Sequence, residues 1–165
     1  MDEALIQNWN AKVKDGDRVY HLGDFGFGQR EKILALTRRL NGHIILIEGN
    51  HDEVGDPKNY GFSGKHQLLD IKINGIYITM CHYAMRVWNR SHFNSWHIFG
   101  HSHSTLDKNW GKCWDVGVDN NSFEPVEFEE LKNIMINQPD NFNWLGRLPG
   151  YNQKEFDEAK LSEMS

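Results

Sequence analysis

His43-Ile44-Ile45-Leu46-Ile47-Glu48-Gly49-Asn50-His51-Asp52 is the stretch that decides the fold. Its first half is a continuous, largely β-branched run, the pattern of a strand covered on both faces. Its second half crowds an amide, an imidazole and a carboxylate into the turn that follows. A buried strand delivering polar side chains at its carboxyl end is the arrangement by which open α/β sheets build their sites.

The pattern recurs on both sides. Arg18-Val19-Tyr20-His21-Leu22 reads as a short strand and is followed at once by Gly23-Asp24-Phe25-Gly26-Phe27-Gly28. Leu68–Lys72 and Ile76–Met80 flank Asn74-Gly75, the strongest short hairpin signal in the chain, and the second of these strands ends at Cys81-His82. Trp96–Phe99 ends at Gly100-His101-Ser102-His103, and Trp114–Val118 reads as a last strand. Glycines at 23, 49 and 100 permit sharp turns and close approach of the backbone to an ion.

Helices fill the intervals. Leu5, Ile6, Trp9 and Val13 fall at helical spacing, with Asp2 as N-cap and Gly16 as stop. A second helix is expected from Arg30 to Leu40, ended by Asn41-Gly42. Pro125 with Phe128, Leu131, Ile134 and Met135 predicts a terminal helix. The order is helix, strand, helix, strand, hairpin, strand, strand, helix, which predicts a layered α/β (α+β) sandwich rather than a bundle or barrel. Domain organisation is expected as one domain over 1–136, then a tail over 137–165 that packs on the surface or frays, with a short polar helix from Gln153 to Met164.

Bulk properties narrow the function. The 165 residues carry 18 Lys and Arg against 23 Asp and Glu, a net charge of −5 with pI ≈ 6.0, so nothing in the charge indicates nucleic-acid binding. The 39% hydrophobic and 12% aromatic content argues against disorder. No apolar run approaches a membrane span, and no basic-then-apolar leader opens the chain. Cys81 and Cys113 form no CxxC pair, and a reducing cytoplasm is the expected compartment.

Nine histidines are the unusual feature. His43, His66, His92 and His97 stand alone and read as structural or solvent-facing. Gly23-Asp24 by itself is an ordinary turn, and His101-Ser102-His103 by itself is open to the same reading. Together, and each at a strand end, Asp24, Asn50, His51, His82, His101 and His103 point to a site. Imidazole, carboxylate and amide oxygen jointly suit Mn, Fe, Zn or Ni. Such ions support displacement at phosphorus, with a further His to protonate the leaving oxygen.

Gly-Asp, Gly-Asn-His-Asp, a strand-end His and Gly-His-Ser-His, in this order, resemble the calcineurin-like metallophosphoesterase family, and more narrowly its small single-domain bacterial and phage members. His21-Leu22-Gly23-Asp24-Phe25 and Trp114-Asp115-Val116-Gly117-Val118-Asp119 are similar to the local sequence of those members. The resemblance implies a β-sandwich flanked by helices and two divalent metals. Asp24 would bridge them; Asn50, His82 and His101 would complete the second site, and His103 would ligate the first. His51 would be the catalytic acid, with Asp52 positioning it. The substrate would be a phosphate ester of a small molecule or nucleotide.

One departure stands out. The family's first strand ends in Asp-x-His, and no Asp-x-His lies upstream of Asp24. The expectation is one tightly held metal and one weak or absent, because two protein ligands hold an ion poorly. A strand is also expected to be missing from its sheet, leaving apolar faces and unpaired backbone that an oligomer or the tail would cover. Truncation of an active parent is the favoured account. A natural short form and a catalytically inert metal- or partner-binding module are the others.

Side candidates are fewer. Arg86 is a candidate phosphate contact. His21, Asp119 and Asn120 are candidates to support the ligands. Trp88, Trp96, Trp110 and Trp114 read as core in preference to a stacking platform. The loops Glu53–Lys65 and Val87–Ser95 are where specificity would sit.

Overall fold

The structure is a computed structural model, and it describes residues 3–26, 28–106, 110–147 and 152. The expected N-cap Asp2 and the expected helix from Gln153 to Met164 lie outside the described residues. No described helix is long and apolar enough to cross a membrane.

Two sheets form the framework. Strands β1 (Arg18–His21), β2 (His43–Ile47) and β3 (Gly64–His66) pair in parallel in the order β1-β2-β3. Strands β4 (Leu68–Ile73), β5 (Ile76–Cys81), β6 (Trp96–Phe99) and β7 (Cys113–Asp115) form the second sheet in the order β4-β5-β6-β7. The β4–β5 hairpin is antiparallel with Ile73 opposite Ile76, and its turn residues Asn74 and Gly75 have φ of 50° and 86°. Positive φ at both positions is the turn whose twist matches paired strands. The remaining pairs, β5–β6 and β6–β7, are parallel.

The decisive strand β2 separates two cores. Ile44 and Leu46 enter a cluster with Ile6 and Trp9 of helix α1 (Glu3–Lys12) and Ile33 of helix α2 (Arg30–Thr37). Ile47 points the other way, into a cluster with Ile78 and Met80 of β5, Ile98 of β6, and Leu131 and Met135 of helix α3 (Phe128–Asn137). Covering both faces of β2 is what the unbroken apolar run requires, because a period of two sends alternate side chains to opposite sides. Asn41 ties the first layer together: its carbonyl accepts from Trp9 Nε1, its N–H donates to Asn10 Oδ1, and its amide donates to Val13 O.

Several elements differ from the sequence reading. Helix α2 stops at Thr37 rather than Leu40, because a tighter final turn (Arg39 N to Leu36 O, Leu40 N to Thr37 O) takes over. Strand β7 covers Cys113–Asp115 rather than Trp114–Val118. The Asp115 carboxylate accepts from the Gly117 N–H and turns the chain out of the sheet. Strand β3, within the presumed loop Glu53–Lys65, has no apolar alternation to announce it; the edge of β2 recruits it through backbone pairing.

Among the described residues, no strand pairs with the other side of β1. The start of the presumed tail is firmly packed. Asn141 is fully buried, donating to Ser91 O and Ser95 O and accepting from the Lys112 N–H.

Candidate metal centre

The carboxyl ends of β1 and β2 meet those of β5 and β6 at one end of the two sheets. Two glycines make the meeting possible. A Cβ on Gly23 would lie 2.3 Å from His82 Nδ1, and one on Gly49 would lie 2.3 Å from Asp24 Oδ1. Any side chain at either position would drive the turns apart.

The Asp52 carboxylate fastens these turns to each other. It accepts from the N–H groups of Asp24 (2.7 Å), Phe25 (2.9 Å) and Gly49 (2.9 Å). The sequence reading gave Asp52 a duty toward His51. These three bonds add a second duty, a tie to the backbones of two loops, one after β1 and one after β2. Asp24 completes the tie from the other side, its Oδ1 accepting from the His51 N–H at 3.0 Å.

His82 is buried, and its hydrogen bonds fix its tautomer. The Leu22 carbonyl, 2.6 Å from Nδ1, can only accept, so Nδ1 carries the proton and Nε2 presents a lone pair. That lone pair lies 3.1 Å from Asn50 Oδ1, 3.1 Å from His101 Nδ1 and 3.5 Å from Asp24 Oδ2. His82 Nε2, Asn50 Oδ1, His101 Nδ1 and Asp24 Oδ2 thus converge on one point, an imidazole, amide and carboxylate set that suits a divalent cation. Asp24, His82 and His101 offer ligand atoms that all lie within 4.8 Å of one another, close enough to bind one metal ion. Asp24 and His101 hold left-handed backbone, φ 52° and 63°, a conformation that costs energy for residues other than glycine and clusters at functional sites.

The sequence profile of the calcineurin-like phosphoesterase superfamily domain matches residues 2–118. The chain belongs to that superfamily. It is 34% identical over 143 residues to an uncharacterized protein of Methanocaldococcus jannaschii, across 82% of this chain and 75% of the relative. A crystal structure of a protein of unknown function from Aquifex aeolicus shares the fold with a TM-score of 0.63 and 24% identity, over 79% of this chain and 83% of that one. The phosphoesterase fold inferred from ordered strand-end motifs is therefore the fold observed.

The remaining candidates of this phosphoesterase domain are placed as follows. His103 stands off the cluster: its side chain is 73% exposed and its Nδ1 pairs with the Asp119 carboxylate, which raises its pKa above the ordinary histidine value. His51 is exposed on the turn beside Asp24. The Arg86 guanidinium lies over the Phe142 ring, 5.4 Å from its centroid. The His21 ring packs against Phe25 at 4.9 Å, its Nδ1 is buried without a hydrogen-bond partner among the described residues, and burial lowers its pKa to about 4. Both Asn120 amide atoms are likewise buried and unpartnered. Trp88 and Trp96 are buried, Trp114 is half-buried and Trp110 is exposed. Cys81 and Cys113 are free thiols.

Two contributors escaped the sequence reading. The Leu22 carbonyl that sets the His82 tautomer is a backbone group and has no sequence signal. Tyr83 packs its ring against both His82 and His101, with centroids 4.9 Å apart in each case. Its position directly after His82 was the only available hint.

Proposed function

We propose that this chain is a metal-dependent phosphoesterase, acting on phosphomonoesters or phosphodiesters through water attack with no covalent enzyme intermediate. The observation that carries this reading is the convergence of His82 Nε2, Asn50 Oδ1, the Asp24 carboxylate and His101 Nδ1 on one point. Asp24, Asn50, His82 and His101 would hold a divalent ion of the Mn, Fe, Zn or Ni class. Such an ion, when bound, polarises a phosphoryl oxygen and activates water. His51 supplies a proton to the leaving oxygen from its exposed place beside Asp24. Asp52 keeps the Asp24 and Asn50 turns in register. His103, braced by Asp119, is the remaining ligand candidate and would serve a second, weaker ion next to Asp24. The setting is a cytoplasmic one.

The test is hydrolysis of p-nitrophenyl phosphate and bis-p-nitrophenyl phosphate with added manganese, in the wild type, His51→Ala and Asn50→Ala. Turnover that needs the metal and falls at least a hundredfold in both variants supports the reading. Turnover unchanged in either variant rejects the assigned chemistry. The position of His103, outside the cluster of three, favours one rival: an inert single-metal module. That rival predicts one equivalent of tightly bound manganese by calorimetry and no turnover of any phosphate ester.

A further inference from the structure

A cleft of about 480 Å³ opens directly beside the ligand cluster. It is lined by Tyr83 and Ala84, after β5, and by residues 101–103, Thr105 and Leu106, after β6. The volume falls within the range of small-molecule sites. Of these residues the proposed chemistry uses His101 and His103 alone.

The character of its walls is specific. Tyr83 and Leu106 are large apolar side chains left 46% and 48% exposed at this one opening. Tyr83 is not a loose surface residue. Its ring is wedged against the imidazoles of His82 and His101, and its loop is pinned two residues on, where the Met85 N–H donates to the buried His97 Nε2 at 3.0 Å. An aromatic ring already held in place loses little entropy on receiving a ligand. The hydroxyls in the cleft are committed elsewhere: Ser102 Oγ donates to Asp115 at 2.7 Å and Thr105 Oγ1 donates to Ser102 O at 2.6 Å.

We propose that this cleft receives the planar aromatic part of a phosphate ester, and that Tyr83 is the residue that selects it. The inference rests on the phosphoesterase reading, since the phosphate would lie at the ligand cluster while the ring lies on Tyr83. Nucleoside phosphates and aryl phosphates both carry such a group.

The experiment is calorimetric titration of the manganese-loaded full chain with inorganic phosphate, glycerol phosphate, phenyl phosphate, adenosine monophosphate and adenosine triphosphate. Stacking on an aromatic side chain predicts adenosine monophosphate to bind roughly tenfold more tightly than glycerol phosphate. Phenyl phosphate shows the same advantage if an aryl ring suffices, and a smaller one if the site prefers a nucleobase. Tyr83→Phe keeps the ratio of aromatic to glycerol ester, whereas Tyr83→Leu, which keeps the bulk, and Tyr83→Ala bring it close to one. Equal binding of glycerol phosphate and both aromatic esters by the wild type overturns the proposal and leaves the phosphoesterase reading standing, as does a ratio that survives both Tyr83→Leu and Tyr83→Ala. Failure of every phosphate compound to bind the manganese-loaded chain overturns both.

Discussion

Replacing Asp52 with alanine removes three hydrogen bonds at once. The carboxylate accepts from the N–H groups of Asp24, Phe25 and Gly49 at 2.7–2.9 Å. Hydrogen bonds to a charged partner contribute about 1.5–3 kcal/mol each, and an N–H left buried without an acceptor costs about 1–3 kcal/mol. Asp52 is only half-buried, so water reaches part of the space left behind and the three terms do not add in full. The expected loss is about 3–4 kcal/mol, which corresponds to a melting temperature lower by roughly 10 °C for a chain of this size. Urea unfolding in the absence of metal measures it without interference from ion binding. Manganese affinity, read separately by calorimetry, should fall as well, because Asp24 and Asn50 sit on the two turns that Asp52 fastens. Asp52→Asn is the sharper variant: its amide oxygen serves one or two of the three donors while its NH₂ opposes another, so about half the loss is expected. A metal-free Asp52→Ala protein that unfolds within 0.5 kcal/mol of the wild type (about the scatter of a surface substitution) would refute the assignment of Asp52 as the tie between the loops.

Two further outcomes follow from the same geometry. Gly49→Ala places a methyl group 2.3 Å from Asp24 Oδ1 and 2.8 Å from His82 Cε1, so manganese binding should weaken at least tenfold, while Gly55→Ala, with nothing within 4 Å, leaves it unchanged; calorimetry on the pair decides, and equal affinities would contradict the close approach. Stability should also fall in mild acid. His97 is buried, donating from Nδ1 to Thr79 O and accepting the Met85 N–H on Nε2, and burial holds its pKa below the ordinary value, as it does for His21, lowered to about 4. For both, the unfolded chain binds protons that the folded chain refuses. Their contribution is therefore fully present above pH ~6.5 and drains away as pH falls from ~6.5 toward 4. His103 works the other way: its raised pKa adds stability that is fully present below pH ~6.5 and is lost as pH rises through the raised value, but its 73% exposure leaves the contribution small. A urea midpoint that stays level between pH 7.5 and 4.5 would show that neither buried ring resists protonation.

Much of the site was legible in the sequence because each ligand candidate follows a strand that the sequence announces. The unbroken run Ile44–Ile47 placed Asn50 at a strand end, and the Asn74-Gly75 turn, by fixing the hairpin, placed His82 at another. Glycine before a polar residue flagged the close approach that Gly23 and Gly49 make. Legibility failed where the deciding interaction lies between backbones or between surfaces. Strand β3 has no pattern of its own and exists because β2 offers an edge. That the Asp52 oxygens accept from Asp24 and Phe25 as well as from Gly49 of their own loop has no signal in the sequence.

The sequence by itself determined every strand but β3, the order of the polar residues at their ends, and so the family and the kind of ion those residues suit. These are properties of local pattern and side-chain chemistry, written in consecutive letters. Only the tertiary structure decided which lone pairs face one another, that the Leu22 carbonyl sets the His82 tautomer, that His103 turns to Asp119, and that Tyr83 and Leu106 border a common cleft. Those outcomes depend on distances between residues far apart in the chain, and such distances exist only once two sheets have packed across a shared core.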